Sequence, residues 1–280
     1  MEDLYSNNSY HGSGVFELQI RLRIVCWIVI VIGLPLIILA IYYLYSLVRH
    51  NHVAPIYVIN LLISDLIQLC CMATMLGKPK FDQADIILLI HLLGVMASVG
   101  FMVCISLERY LLIAWPLWYH SRRTIKSSLV VCVVVWVFAL VVICSVLFID
   151  NKLLLIGIIL LLPFPVLIFS VVGIFKGLSA AISVSSEEKR RIVGATILVL
   201  LNYTLLFLPF IIGTITPNVI TTNPLAFVFL NPLGDLVLYV FMRKGAIDKI
   251  LASLCCCRME TQQQQIIAVN DDRMKTVSSV

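Results

Sequence analysis

The side chains best suited to chemistry in this sequence are ionisable groups that lie within long apolar runs. Asp65 and Asp235 stand well inside two such runs, and His91 lies in a third that Glu108–Arg109–Tyr110 closes. An ionisable side chain is costly in hydrocarbon, so each of these positions predicts a functional role rather than a simple packing role.

The apolar runs have the length of membrane-spanning helices. Hydrophobic residues make up 61% of the chain and charged residues only 12%, which argues against a soluble enzyme and a disordered scaffold. A helix needs about 20 apolar residues to cross about 30 Å of hydrocarbon. Runs of this kind lie at residues 24–48, 53–76, 86–114, 127–149, 153–175, 192–215 and 218–242. The predicted fold is an all-α membrane protein, a seven-transmembrane helix bundle with a short interfacial helix after the last span.

Charge placement predicts the orientation and the organisation of the chain. With the N-terminus outside, 15 of the 20 lysines and arginines fall on the cytoplasmic side, as the positive-inside rule requires. We therefore expect a multi-pass protein of the plasma membrane, with Asn7 in an extracellular glycosylation sequon. The expected segments are an extracellular N-terminus at 1–22, the bundle at 23–242, an amphipathic interfacial helix at 243–254 and a cytoplasmic tail at 255–280.

Several motifs follow one another along the predicted spans. They are Glu108–Arg109–Tyr110 at the end of span three, Pro116–Leu117 in the next loop, Trp136 in span four, Phe207–Leu208–Pro209 in span six, and Asp235 with Tyr239 in span seven. In this order and on these spans, they resemble the rhodopsin-like (class A) G-protein-coupled receptors. The segment Trp115–Tyr119, followed by Arg122–Arg123, looks like the Mas-related receptors within that group.

The resemblance implies a receptor that converts the binding of an extracellular ligand into activation of a heterotrimeric G protein. In that family the arginine of the third span leaves its acidic neighbour on activation and contacts the G protein, a role that falls here on Arg109 beside Glu108. The residues implied in coupling and switching are Glu108, Arg109, Tyr110, Pro116, Leu117, Phe207, Pro209 and Tyr239. Leu236 replaces the family's seventh-span proline, which predicts a divergent switch.

The resemblance also implies a sodium pocket, because four polar residues match positions that line it in the family. They are Asp65, Ser98, Asn231 and Asp235. Carboxylate, hydroxyl and amide oxygens are the hard ligands that a small cation prefers. Two alternatives remain open: the acids share one proton through mutual repulsion and burial, or the group is a hydrogen-bonded polar knot without an ion. No other cofactor is expected.

His91 matches a third-span position that often faces ligand in the family. Its expected neighbours are apolar: Met72, Met75, Leu92, Val95 and Phe229. This composition favours an apolar, lipid-like or peptide ligand over an amine. A packed, hydrogen-bonded core histidine is the alternative interpretation.

The C-terminal part carries two further motifs. Cys255, Cys256 and Cys257 follow the amphipathic stretch, which predicts palmitoylation and attachment to membrane lipid. The chain ends with Ser278–Ser279–Val280, which suits a PDZ domain through Ser278 and Val280. The expected partners are thus a G protein, an extracellular ligand, membrane lipid, arrestin and a PDZ protein, but no nucleic acid.

Other classes of function fit the sequence less well. An intramembrane enzyme would need a nucleophile with a base, or a metal-binding motif such as His-Glu-x-x-His, and the sequence contains no such motif. The alternatives are a polytopic transporter or channel, and a divergent seven-helix receptor with weak or no G-protein coupling.

Overall fold

The structure, a computed structural model, describes residues 2–49, 56–77, 80–115, 124–180, 186–216 and 225–242. These residues are helical apart from short ends and breaks. The helices are α1 (Glu2–Arg49), α2 (Ile56–Leu76), α3 (Phe81–Ala114), α4 (Ile125–Leu147), α5 (Lys152–Leu161), α6 (Pro163–Ala180), α7 (Ser186–Ile215), α8 (Leu225–Phe229) and α9 (Asn231–Met242).

Six of the predicted spans have helices long and apolar enough to cross a membrane. These helical stretches are Ile20–Tyr42, Ile56–Leu76, Gln83–Ala114, Ile125–Leu147, Lys152–Gly177 and Ile192–Ile215. Many of their apolar side chains are exposed, which suits a hydrocarbon solvent, and their helical backbones satisfy the N–H and C=O groups internally, as that solvent requires. The described residues therefore form the helical part of a multi-pass membrane protein.

Three of the predicted spans differ from the observed helices. The backbone of α1 is helical from Glu2, although its membrane-length apolar part begins only at Ile20. The predicted span 153–175 is divided into α5 and α6 at Leu162, and the described part of span 218–242 is divided into α8 and α9 at Leu230.

Both divisions occur next to proline. Pro163 and Pro165 follow the end of α5, and Pro232 is the second residue of α9. Proline has no backbone N–H, so it cannot make the i→i−4 bond of a continuous helix. At the first division the N–H of Leu162 donates to the carbonyl of Ile159, which is a tighter turn than the α-helix. A kink at Pro232 is predictable from the sequence, whereas the break of span five before Pro163 was not predicted.

Helix α3 is the central packing element of the first compact unit, residues 1–238. It packs most extensively against α2 and α6, and also against α4 and α7. A polar link ties α2 to α4: the Trp136 indole donates to Asn60 at 3.2 Å, and the Asn60 amide donates to Cys132 Sγ at 3.4 Å. The end of α9 from Tyr239 belongs to a second unit.

Candidate functional site

The four residues predicted for the sodium pocket come together in the bundle interior. Asp65 lies on α2, Ser98 on α3, and both Asn231 and Asp235 on α9, and all four side chains are buried. The i,i+4 spacing of the last two places them on one face of α9. Residues of three different helices, separated from one another by 33 to 170 positions in sequence, are thus assembled by helix packing.

Asp235 is the main hydrogen-bond acceptor of this group. The hydroxyl of Ser98 donates to Asp235 Oδ2 at 2.6 Å, and the amide of Asn231 donates to the same oxygen at 3.2 Å. Asn202 on α7 donates to Asp235 Oδ1 at 3.2 Å. Because three donors converge on one carboxyl group, α3, α7 and α9 are joined at this point.

A second set of bonds extends the group to α2. The amide of Asn231 also donates to Ser98 Oγ at 2.9 Å and to Gln68 Oε1 at 3.3 Å. The amide of Gln68 donates to Asp65 Oδ1 at 3.3 Å. We refer to Asp65, Gln68, Ser98, Asn202, Asn231 and Asp235 together as the acid cluster.

Two oxygens of the acid cluster stay without a donor. Asp65 Oδ2 and Asn231 Oδ1 are buried and have no hydrogen-bond partner within the described ranges. The Asp65 and Asp235 carboxyls face each other closely enough to share a hydrogen bond once one carries a proton. A buried acceptor without a donor is costly, so both oxygens are suited to contact a cation, and the Asp65 carboxyl is also able to carry a proton.

Gln68 and Asn202 are members of the acid cluster that the sequence analysis missed. Gln68 follows Asp65 by three residues and so lies on the same face of α2, which was a usable signal. Asn202 is an amide inside an apolar span, where a polar side chain needs a partner. Its partner on α9 could be identified only from the packing of α7 against α9.

His91 and its predicted neighbours form part of the packed interior. His91 is 1% exposed, and its ring lies 4.8 Å from the ring of Phe229 at a 45° tilt. Met72, Leu92 and Val95 are buried, whereas Met75 is partly exposed. Neither nitrogen of His91 makes a well-formed hydrogen bond in the part of the chain that the structure describes, although the Gln68 backbone carbonyl faces the ring.

An aromatic group surrounds the predicted switch residue Phe207 on α7. Phe207 is fully buried, and its ring lies 4.8 Å from that of Tyr203, which in turn contacts Phe164 at 4.9 Å. The Tyr203 hydroxyl donates to the Leu160 carbonyl, close to the division between α5 and α6. Pro209 lies inside α7 and removes one backbone bond there. Tyr203 is a further residue of this region that the sequence analysis did not single out.

The Arg109 end of α3 contains a buried cationic atom. Arg109 Nε is buried and lacks a hydrogen-bond partner among the described residues. Glu108 lies near Tyr57 of α2 and near Cys104. The ring of Tyr110 packs edge-on against Phe169 of α6, with centroids 5.2 Å apart. This arrangement fixes Tyr110 against α6 and leaves part of the Arg109 guanidinium available for another partner.

Replacing Gly173 by alanine is expected to displace the Tyr110 ring. A Cβ at Gly173 would lie 2.3 Å from Tyr110 Cε2, well inside van der Waals contact. We expect a loss of about 1–3 kcal/mol in folding free energy, the usual cost of overpacking. The measurement is the thermal unfolding temperature of the detergent-solubilised protein. Gly194→Ala is the matched control, because its Cβ would have nothing within 4 Å. Equal unfolding temperatures for the two variants would contradict this packing.

Several predicted functional residues are not part of the described structure. Pro116, Leu117, Cys255, Cys256, Cys257, Ser278 and Val280 lie outside the described residues, as does the predicted interfacial helix at 243–254. Asn7 lies in the described backbone of α1, but its side chain is outside the description. Tyr239 lies on α9, in the second compact unit.

The helices and the acid cluster define a class of protein: a multi-pass helical membrane protein with a buried polar centre. Comparison with known families and proteins is more specific. Residues 36–155 match the family model "7 transmembrane receptor (rhodopsin family)". This match covers the first half of the predicted bundle, including Asp65, His91, Ser98 and Arg109.

Curated proteins of two receptor groups are similar to this chain. G-protein coupled receptor 68 of Mus musculus is 31% identical over 134 residues, which is 44% of this chain and 36% of the relative. The same receptor of Homo sapiens is 32% identical over 118 residues, covering 39% and 32%. Mas-related G-protein coupled receptor member B5 of Mus musculus is 31% identical over 109 residues, covering 35% and 33%.

These matches confirm the resemblance inferred from the motifs. Over the matched residues this chain is similar to the rhodopsin-family model, to G-protein coupled receptor 68 and to the Mas-related receptors. The aligned part spans about a third of the length of the curated relatives it matches.

Proposed function

We propose that this protein is a seven-helix receptor of the plasma membrane that activates a heterotrimeric G protein when a ligand binds from outside. In this proposal the N-terminus is extracellular and the Arg109 end of α3 is cytoplasmic. The observation that carries the proposal is the buried Nε of Arg109, without a partner among the described residues, within a Glu-Arg-Tyr motif. A charged group with an incomplete set of partners favours a second state in which a partner completes that set.

The experiment that tests this proposal is co-expression with a panel of Gα subunits. Nucleotide exchange on any of them, above the level of untransfected cells, supports the receptor. Solute flux across the membrane without nucleotide exchange would contradict it and favour the transporter or channel. The absence of both would favour the divergent receptor without G-protein coupling.

A ligand of apolar, lipid-like or peptide character would bind near His91 and Phe229 in this proposal. Support comes from the surrounding side chains, because Met72, Leu92 and Val95 are apolar and the Phe229 ring contacts the imidazole. His91 would supply the polar contact that orients the ligand, since both its nitrogens have unused hydrogen-bonding capacity within the described chain. The buried state of these residues implies that they move when a ligand enters.

The acid cluster would act as the switch between the outer site and Arg109. Its residues fit a sodium ion, because Asp65 Oδ2 and Asn231 Oδ1 are buried oxygens with unused acceptor capacity. Asp65, Ser98, Asn231 and Asp235 are the residues that would hold the ion, and the positive charge would offset that of the two acids. A proton shared by Asp65 and Asp235 would serve the same electrostatic purpose.

Sodium is expected to stabilise the native protein but not the Asp65→Asn variant. An ion that binds only the folded state raises its stability in proportion to RT ln(1 + [L]/Kd). The measurement is the thermal unfolding temperature in sodium chloride against N-methylglucamine chloride at equal ionic strength. A wild-type unfolding temperature that is the same in both salts would contradict the sodium proposal and favour the shared proton.

The remaining proposals concern residues outside the described part of the chain. Asn7 would be glycosylated, Cys255, Cys256 and Cys257 would be palmitoylated, and Ser278 with Val280 would bind a PDZ domain. Arrestin is a further proposed partner by analogy with the receptor class. Support comes only from the sequence motifs and from the predicted orientation.

A further inference from the structure

Gln68 occupies a position between the two polar regions of the bundle. Its side chain is fully buried and bonds to two members of the acid cluster: its amide donates to Asp65 and its carbonyl oxygen accepts from Asn231, each at 3.3 Å. Its backbone carbonyl faces the His91 ring.

The second connection between these regions runs along the chain. Phe229, which contacts His91, is the last residue of α8, and Asn231 is the first residue of α9. Only Leu230 separates them, and its carbonyl accepts bonds from the N–H groups of Leu233 and Gly234. A displacement of Phe229 is therefore transmitted over a short, hydrogen-bonded segment to Asn231.

The contact between α2 and α3 keeps Gln68 in place. A Cβ at Gly94 would lie 2.8 Å from Gln68 Cγ and 3.0 Å from the Ser64 carbonyl oxygen. Glycine at this position therefore allows the Gln68 side chain to lie between the two helices. With little free volume around it, the Gln68 amide has few alternatives to its present partners.

We propose that Gln68 is a positioning residue that couples the His91–Phe229 contact to the acid cluster. A change at His91 alters the environment of the Gln68 carbonyl and, through Phe229, the position of Asn231. Both changes reach the Gln68 amide, which then alters its bonds to Asp65 and Asn231. The role of this coupling in signalling rests on the proposed receptor function, but the coupling itself does not.

The test is the NMR signal of His91 in protein with isotopically labelled histidine. The chain contains five histidines, so the His91 signal is assigned by its loss in His91→Phe. We expect Asp65→Asn to shift the His91 signal in the wild-type background. In the Gln68→Met background, which keeps the side-chain length without its hydrogen bonds, the same change should cause a much smaller shift, because only the connection through Asn231 and Phe229 remains. A merely structural role of Gln68 would leave the response to Asp65→Asn intact.

Two further variants keep the test decisive. Asn60→Leu removes a different polar amide of α2, one that contacts Trp136 and Cys132, and should leave the response intact. If Gln68→Met does not fold, Gln68→Asn is used, because the shorter amide cannot reach both partners. A His91 shift of undiminished size in the Gln68 variant overturns the coupling, even where nucleotide exchange occurs. A shift that depends on Gln68 supports the coupling even where no Gα subunit responds.

Discussion

Replacing Arg109 by leucine is expected to reduce nucleotide exchange on the responding Gα subunit about tenfold or more while leaving the protein folded. The guanidinium is only partly buried and its Nε is without a described partner, so its loss removes few contacts within the fold. In the active state, however, it would supply contacts that the inactive state lacks. A free-energy difference of about 1.4 kcal/mol between two conformations changes their equilibrium constant tenfold. We therefore expect the rate of nucleotide exchange to fall about tenfold or more.

The control for this prediction is Lys126→Leu, which removes a cation from an exposed position near the start of α4. Both variants are compared at matched surface expression, and the measurement is nucleotide exchange with each Gα subunit. Exchange by Arg109→Leu at the level of Lys126→Leu would contradict the proposed role of the arginine. It would leave the fold and the acid cluster unaffected.

Replacing Asp235 by alanine is expected to have the largest effect on stability. Its carboxyl accepts bonds from Ser98, Asn202 and Asn231. The alanine variant leaves the Ser98 hydroxyl and the Asn202 amide without this acceptor in a dry interior, whereas Asn231 keeps its bonds to Ser98 and Gln68. A buried donor without an acceptor costs about 1–3 kcal/mol, so we expect a loss of about 3 kcal/mol or more. The thermal unfolding temperature should fall by roughly 5–10 °C on the scale of proteins of this size.

Asp235→Asn and Asp150→Ala separate the causes of this effect. The asparagine variant removes the charge but keeps one acceptor, so its loss should be smaller than that of alanine. Asp150→Ala makes the same chemical change at an exposed position between α4 and α5 and should be nearly neutral. An Asp235→Ala variant as stable as the wild type would mean that relief of repulsion from Asp65 offsets the lost hydrogen bonds.

The length and order of six spans were predictable from the sequence because the bilayer imposes them. A helix must be about 20 apolar residues long to cross hydrocarbon, and no partner elsewhere in the chain is needed to detect that pattern. The helices of the second, third, fourth and sixth spans begin or end within a few residues of the predicted limits. The helices break at Leu162 and Leu230, beside prolines, because helix continuity depends on backbone hydrogen bonds and not on hydropathy.

The acids Asp65 and Asp235 could be identified as functional candidates from the sequence alone, because charge in a membrane is costly wherever it occurs. The hydrogen-bond partners of these acids do not follow from the same argument. Gln68 can be suspected from its spacing of three residues from Asp65, with which it bonds at 3.3 Å. Asn202 and Tyr203 are recognised only through contacts on other helices: the Asn202 amide donates to Asp235 at 3.2 Å, and the Tyr203 hydroxyl donates to the Leu160 carbonyl. Such contacts depend on how each helix is rotated about its axis, and packing against neighbouring helices sets that rotation. The sequence alone thus determined which residues need partners in the membrane, whereas the tertiary structure decided which partners they have.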